Sequence, residues 1–164
     1  MTGFEDIFTA NAQYVKDFQL RALTGQAARG LAIVTCIDSR IAPLAIVGMQ
    51  PGDAKIIRNA GARVTDDVLR TLVLATHLLN VSRILVMPHT DCRMASGTEA
   101  EIHAAILEKS GVDTRSIEIR TVSDPLEALE IDLDRIRSFP LLAANIEVVG
   151  AIFNVATGEL NAIA

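Results

Sequence analysis

The sequence predicts a single α/β domain with a mainly parallel four-stranded sheet, flanking helices and a short extra antiparallel strand at the C-terminus. Short apolar runs alternate along the chain with segments of helical periodicity. Such uninterrupted runs are typical of parallel strands that are covered on both faces. The 164 residues are enough for one domain, and 50% of them are hydrophobic, so we expect a substantial core.

The first predicted element is an N-terminal helical arm over residues 1–28. Apolar residues recur between positions 4 and 23 mostly at helical spacing, which predicts one or two amphipathic helices. Three of the five phenylalanines and the single tyrosine, Tyr14, lie in this stretch. These aromatic side chains either pack into the chain's own core or clasp a partner subunit. The high apolar content of the whole chain favours burial at a subunit interface.

Strands and helices then alternate. Apolar runs predict strands at residues 31–35, 54–60 and 83–88. A short helix at 42–47 and a longer helix at 66–79 connect them, and the acidic start of the longer helix suits its dipole.

A capping box begins the next helix. Thr98 and Glu101 have the spacing of that motif, and Gly111 suits the C-cap of the same helix. The stretch that follows, residues 112–122, fits either a strand or an extended loop.

The C-terminal part contains one more helix and two strands. Asp124-Pro125 begins a helix to about residue 138, and its acidic stretch 127–134 is predicted to face solvent. A fourth strand is predicted at 146–153. A turn at 156–159 then leads into the short final strand.

Composition excludes several classes of partner. The net charge of −5, without a basic cluster, argues against nucleic acid and anionic membranes. No apolar stretch reaches the roughly 18 residues of a membrane helix. The acidic residues near the N-terminus are unlike a secretory signal, so we expect a cytoplasmic protein.

Two clusters of metal-ligating residues follow two of the predicted strands. Cys36, Asp38 and Arg40 come directly after the first strand, and His89 and Cys92 come after the third. Because the carboxyl ends of parallel strands meet at one edge of a sheet, these clusters are expected to be neighbours. Two thiolates and one imidazole are a common ligand set for a catalytic zinc ion with one open position. The sequence therefore predicts one Zn²⁺ per chain on Cys36, His89 and Cys92.

Asp38 has two possible roles beside this metal. It can act as a fourth ligand in a closed state, or it can accept a hydrogen bond from water on the metal. A bidentate pair with Arg40 would hold Asp38 off the metal and leave the fourth position open.

Four separated motifs resemble those of the β-class carbonic anhydrases. The resemblance runs from about residue 33 to residue 94, and the segment 149–158 also fits. The first three motifs, in the order in which the family has them, are Cys36-Ile37-Asp38-Ser39-Arg40, Arg58-Asn59-Ala60-Gly61 and His89-Thr90-Asp91-Cys92.

The resemblance implies both a reaction and an assembly. Zinc would be held by Cys36, His89 and Cys92, and Asp38 and Arg40 would be the catalytic pair. Zinc-bound hydroxide would attack carbon dioxide and form bicarbonate reversibly. The family fold implies a homodimer or a dimer of dimers, with N-terminal helices packing on the partner subunit.

One residue departs from the family pattern. Arg93 follows the second cysteine, where the family usually has glycine. Arginine would be strained there if the backbone required a positive φ. If it did not, Arg93 could bind an anion, narrow the channel, pair with an acid or simply face solvent.

Three other residues are candidates for the surroundings of the site. Asn59 either stabilises a turn or lines the site, and Gly61 is expected to serve backbone geometry. Asp91 either orients a metal ligand or caps the next helix.

The motifs leave three alternatives to carbon dioxide hydration. Hydrolases of carbonyl sulfide and carbon disulfide share this motif set and use the same attack on a linear triatomic molecule. A catalytically idle zinc protein, with Asp38 as a permanent ligand, is the second. A thiol redox protein is disfavoured because the chain has no Cys-x-x-Cys.

Overall fold

The structure, a computed structural model, describes residues 3–163. Within this range the chain alternates helices and strands, as the sequence predicts. The helices are α1 (Glu5–Lys16), α2 (Pro43–Ile46), α3 (Asp66–Leu78), α4 (Glu99–Ser110) and α5 (Pro125–Arg137). The strands are β1 (Leu31–Cys36), β2 (Ala54–Asn59), β3 (Arg83–Met87), β4 (Glu147–Phe153) and β5 (Leu160–Ala162). Short 3-10 turns lie at Leu20–Ala22, Ala60–Ala62 and Arg93–Ala95.

The strands form one sheet in the order β2-β1-β3-β4-β5. Strands β2, β1, β3 and β4 run parallel to one another, and β5 pairs antiparallel with β4. The predicted α/β fold, with four parallel strands and a short antiparallel strand, is therefore confirmed. Because β1 and β3 are adjacent and parallel, the segments that follow them leave the sheet at the same edge.

The core lies on both faces of the sheet. Every residue of β1 is buried, which explains its uninterrupted apolar sequence. On one face, Val34 and Val86 pack with Leu72 of α3 and Leu129 of α5. On the other face, residues of β1 and β3 pack with Met49 and with partly buried residues of α2.

The N-terminal helix does not contribute to this core. Helix α1 has no buried residue, and its large apolar side chains are exposed in the isolated chain. The aromatic residues of α1 therefore do not pack into the chain's own core.

Residues 112–122 form an extended loop, not a strand. Glu99 at the start of α4 accepts hydrogen bonds from the backbone amides of Ile119 at 2.8 Å and Arg120 at 3.3 Å. The amide of Val122 donates to the carbonyl of Met94 at 2.7 Å. Side-chain and loop carbonyl acceptors thus replace the sheet partners that a strand would need.

The solvent-facing prediction for the acidic stretch 127–134 is wrong at one of its acidic residues and at the two buried leucines, Leu129 and Leu133. Asp132 of α5 is only 4% exposed. Its carboxylate accepts a hydrogen bond from Nε of Arg63 at 2.7 Å. Since a buried carboxylate needs such a partner, this contact explains how an acid is tolerated on the core face of α5.

Among the described residues, no helix is both long enough and apolar enough to cross a membrane.

Candidate metal centre

The three predicted metal ligands come from two adjacent strand ends. Cys36 is the last residue of β1. His89 and Cys92 lie in the loop after β3, where Pro88 cannot donate a sheet hydrogen bond. The end of β4 holds this loop, because the carbonyl of Phe153 accepts from the amide of Thr90 at 2.9 Å.

The ligand atoms of these residues converge. The sulfurs of Cys36 and Cys92 and a ring nitrogen of His89 all lie within 4.8 Å of one another. The two sulfurs are 4.0 Å apart, and both cysteines are free. This separation is far longer than the roughly 2.05 Å of a disulfide bond and suits two ligands of a common cation.

The protonation pattern of His89 fits a metal ion. Its Nδ1 lies 2.8 Å from the carbonyl oxygen of Thr90, which can only accept, so Nδ1 carries the hydrogen. Nε2 is then a free acceptor, and it is buried without a hydrogen-bond partner among the described residues. An unsatisfied buried polar atom is costly, and a metal ion would remove that cost. The donor set therefore fits zinc.

The surroundings of the two cysteine sulfurs also favour a bound cation. Burial raises the pKa of the Cys92 thiol, and the nearby Cys36 adds to this effect. The backbone amide of Gly61 donates to the sulfur of Cys36 at 3.4 Å. As thiolates, two sulfurs so close together would require a cation, and a zinc ion would supply that charge.

Asp38 is held in a fork by Arg40. Nε of Arg40 donates to Oδ1 of Asp38 at 3.0 Å, and Nη2 donates to Oδ2 at 2.8 Å. These bonds, followed by one from the Arg40 amide, hold the pKa of the Asp38 carboxyl well below its usual range. Oδ2 of Asp38 is 3.8 Å from Nε2 of His89. The carboxylate thus lies next to the ligands while both of its oxygens are bonded to Arg40.

Arg40 contacts a second carboxylate. Nη1 donates to Oδ2 of Asp91 at 2.8 Å, and Nη2 donates to the Asp91 carbonyl at 3.1 Å. These bonds, with those to Asp38, hold the pKa of Arg40 above its usual range. The described contacts of the Asp91 side chain and carbonyl are thus with Arg40, and the role of this residue stays a prediction.

Two other predicted residues shape the turn beside Cys36. Asn59 donates through Nδ2 to the carbonyl of Arg63 at 2.6 Å, which stabilises the turn. Gly61 has φ +79, a conformation that favours glycine, and this conformation accompanies its amide contact with Cys36.

Arg93 is placed without backbone strain. It begins the 3-10 turn Arg93–Ala95, and the positive φ in this loop belongs to Asp91 instead. The Arg93 side chain is exposed and makes no hydrogen bond or ion pair within residues 3–163. Replacing the family's glycine with arginine at this position therefore adds a solvent-facing cation next to Cys92.

Arg58 and a cavity complete the surroundings. Arg58 donates to the carbonyls of Cys36 at 2.8 Å and Asp38 at 2.6 Å, so it holds the first ligand segment. A small cavity of about 20 Å³, room for about one water molecule, lies on the α5 side, and its lining includes His89, Cys92, Arg63 and Asp132. Sequence patterns gave no signal for this cavity because its walls come from distant segments.

The fold and the donor set define a class. A Cys-His-Cys cluster at the carboxyl edge of a mainly parallel sheet, with a carboxylate–guanidinium pair beside it, is the arrangement of an α/β metalloenzyme.

Comparisons with known proteins identify the family. The family model described as carbonic anhydrase matches residues 31–160. The chain is 35% identical over 164 residues to β-carbonic anhydrase 1 of Mycobacterium bovis, covering 99% of both chains. It is 40% identical over 112 residues to a carbon disulfide hydrolase of Saccharolobus solfataricus, covering 68% of this chain and 52% of that protein. The chain belongs to the carbonic anhydrase family, and the prediction of an enzyme of this family is confirmed.

Solved structures agree with this assignment. The crystal structure of a carbonic anhydrase from Streptococcus mutans superposes with a TM-score of 0.92 at 35% identity, covering 100% of this chain and 99% of that one. The apo form of a carbon disulfide hydrolase superposes with a TM-score of 0.71 at 26% identity, covering 95% and 89%.

Proposed function

We propose that this protein is a zinc enzyme that reversibly hydrates carbon dioxide to bicarbonate. Cys36, His89 and Cys92 would hold the metal. When bound, zinc supplies the Lewis acidity that makes water a nucleophile near neutral pH. The observation that carries the proposal is the buried, unpartnered Nε2 of His89, which lies 3.8 Å from the Asp38 carboxylate. A ring nitrogen of the same histidine lies within 4.8 Å of both sulfurs.

Asp38 and Arg40 would orient the attacking water. An aspartate is already ionised at neutral pH, and the hydrogen bonds from Arg40 lower the pKa of Asp38 further. An ionised carboxylate accepts a hydrogen bond from water and so sets its direction. The fork from Arg40 occupies both Asp38 oxygens and favours the open over the closed arrangement, in which Asp38 would be a ligand.

A second candidate function is hydrolysis of carbon disulfide or carbonyl sulfide. The 40% identity to a carbon disulfide hydrolase over 112 residues favours it specifically. The same residues would serve, since these substrates are also linear triatomic molecules. Identity to β-carbonic anhydrase 1 extends over 99% of both chains, which is why hydration of carbon dioxide ranks first.

We also propose that residues 1–164 form one domain whose arm, residues 1–28, packs on a partner subunit in a homodimer or a dimer of dimers. The exposed apolar face of α1 supports this arrangement. Two carbonic anhydrases of Sordaria macrospora with this fold are described as tetrameric, with a TM-score of 0.73 at 18% identity. We expect the protein to act in the cytoplasm on small molecules, without nucleic acid or membrane partners.

The test combines metal analysis with three substrates. The purified protein should contain one zinc per chain, and Cys92→Ser should lose most of it because one thiolate ligand is missing. Stopped-flow hydration of carbon dioxide, and sulfide release from carbon disulfide and from carbonyl sulfide, then rank the substrates. Asp38→Asn should lower carbon dioxide hydration at least tenfold with zinc retained, whereas Asp113→Asn, in a remote Asp–Arg pair, should not change it.

The outcomes separate the alternatives. Zinc-loaded protein that is inactive on carbon dioxide between pH 7 and 9 would end the leading proposal, and turnover of carbon disulfide would then favour the second. Inactivity on carbon dioxide, carbonyl sulfide and carbon disulfide would leave an idle zinc protein. Protein without zinc would contradict all three.

A further inference from the structure

We propose that Asp91 is a positioning residue of the active site, which fixes the guanidinium of Arg40 and thereby keeps Asp38 in place beside the metal ligands. The catalytic part of this inference rests on the proposed function, in which Asp38 and Arg40 orient the attacking water. The contact between Asp91 and Arg40 can be tested without it.

The Arg40 guanidinium is bonded along two of its edges. Asp38 accepts from the Nε–Nη2 edge at 3.0 and 2.8 Å. Asp91 accepts from the Nη1–Nη2 edge, through its carboxylate at 2.8 Å and its carbonyl at 3.1 Å. A planar fork that is bonded along two edges cannot turn without breaking bonds to one residue or both.

The backbone conformation of Asp91 makes both of these hydrogen bonds from Arg40 possible. Its φ is +54, in the left-handed region, where aspartate is better tolerated than most residues. In this conformation the carboxylate and the carbonyl of one residue both reach the same guanidinium. The amide of the preceding Thr90 donates to Phe153 at 2.9 Å, which holds the segment against the sheet.

A second Asp-x-Arg segment, Asp113 to Arg115, forms the same fork without a further acceptor on the arginine among the described residues. Nη2 of Arg115 donates to Oδ2 of Asp113 at 2.7 Å, and Nε donates to Oδ1 at 3.0 Å, as in the Asp38 fork. No further acceptor contacts Arg115 among residues 3–163. The fork is therefore a local structure, and the anchor that distinguishes Arg40 is Asp91, 51 residues along the chain.

The Arg40–Asp91 contact also joins the two halves of the metal site. Arg40 follows Cys36 after β1, and Asp91 lies between His89 and Cys92 after β3. The side chains of Arg40 and Asp91 are 45% and 80% exposed in the isolated chain, so the energetic effect is modest. An effect of that size still matters for catalysis, because water must be oriented at each turnover.

The experiment measures rotation of the guanidinium about its Nε–Cζ bond by ¹⁵N NMR on the zinc-loaded protein. Arg40→Lys and Arg115→Lys assign the two signals. Arg40 should rotate more slowly than Arg115 in the unchanged chain. Asp91→Gly should raise the Arg40 rate to about that of Arg115, and Asp91→Asn, which keeps an oxygen acceptor, should give an intermediate rate. Glycine and asparagine both tolerate the positive φ at this position, so the fold should be retained.

Catalysis should follow the same order. For Asp91→Gly we expect kcat/KM for carbon dioxide to fall about fivefold, the size of one exposed charged pair, with zinc content unchanged. The matched control, Asp113→Asn, should speed the rotation of Arg115 and leave Arg40 and kcat/KM unchanged.

Two results would overturn the inference: equal rotation of Arg40 and Arg115 in the unchanged chain, or an Arg40 rate that Asp91→Gly does not change. Faster rotation with unaltered kcat/KM would refute the catalytic part. If the rotation rates behave as expected but the unchanged protein turns over none of the three substrates, the contact is supported and the proposed function fails.

Discussion

At the scale of single residues, the chain contains the same Asp-x-Arg fork twice, in two different settings. Asp38 and Arg40 lie beside the metal ligands, whereas Asp113 and Arg115 lie in the exposed loop after α4. In both forks the guanidinium and amide of the arginine bond to the carboxylate and lower its pKa. Local sequence thus creates the pair, and the position of one pair beside the candidate metal ligands is the basis of its proposed role.

The exposed fork allows a clean pH prediction. The hydrogen bonds from Arg115 lower the pKa of the Asp113 carboxyl to about 2 from an ordinary 3.8. Because the pKa is lower in the folded state, the pair stabilises the fold fully above the unfolded pKa and loses this contribution as the pH falls from about 4 to 2. Titration of the Asp113 carboxyl carbon by NMR should therefore give a midpoint near 2.

Arg115→Gln is the control for this titration. It removes the charge and should return the Asp113 midpoint towards 3.8. A midpoint near 3.8 in the unchanged chain would contradict the bonded geometry of this pair.

At the scale of elements, the segment from the end of β3 to the start of α4 carries two of the candidate metal ligands on irregular backbone. It contains the positive φ of Asp91 and the 3-10 turn Arg93–Ala95. The capping box of α4 ends the segment, since Thr98 and Glu101 bond reciprocally there. The cap therefore fixes the chain six residues after Cys92.

The cap is a testable source of stability. Thr98 Oγ1 accepts from the Glu101 amide at 3.3 Å, and the Glu101 carboxylate accepts from the Thr98 amide at 2.7 Å. Thr98→Ala should lower the free energy of unfolding by about 1 kcal/mol, because it leaves an amide of the first turn unsatisfied. Urea denaturation at fixed protein concentration measures this change.

The matched variant is Thr98→Ser, which keeps the hydroxyl acceptor and should leave the free energy of unfolding nearly unchanged, because serine caps at least as well as threonine. Equal losses for alanine and serine would show that the methyl group of Thr98, and not its cap, provides the stability.

At the scale of the whole molecule, the main unexplained surface is the N-terminal helix. Phe4, Ile7 and Phe8 are 61%, 55% and 58% exposed in the isolated chain. Contiguous apolar side chains of this size are uncommon on monomers and usually mark an interface. The exposed aromatic residues of α1 are thus the strongest structural argument for the proposed dimer.

A charge on the apolar side of α1 should disrupt that dimer. In Phe8→Asp a carboxylate would have to be buried in the interface, which is costly, while the isolated chain loses no core contact. Sedimentation velocity should show a monomer at concentrations where the unchanged chain is dimeric. Ala10→Asp, about 200° around the helix, is the control and should leave the dimer intact.

Much of this protein follows from its sequence alone. Apolar runs and helical periodicity are local patterns, and they were sufficient to predict the alternating elements and the parallel sheet. They also placed Cys36, His89 and Cys92 at one edge, because parallel strands end at the same side of a sheet.

Tertiary structure alone decided the contacts between distant segments. The pairing of Arg40 with Asp91 spans 51 residues, and that of Arg63 with Asp132 spans 69. No periodicity of the chain encodes such pairs, because each depends on how strands and helices pack and on one unusual φ at Asp91. For the same reason the stretch 112–122 stayed ambiguous in the sequence: its hydrogen-bond partners, Glu99 and Met94, become available only once α4 is in place.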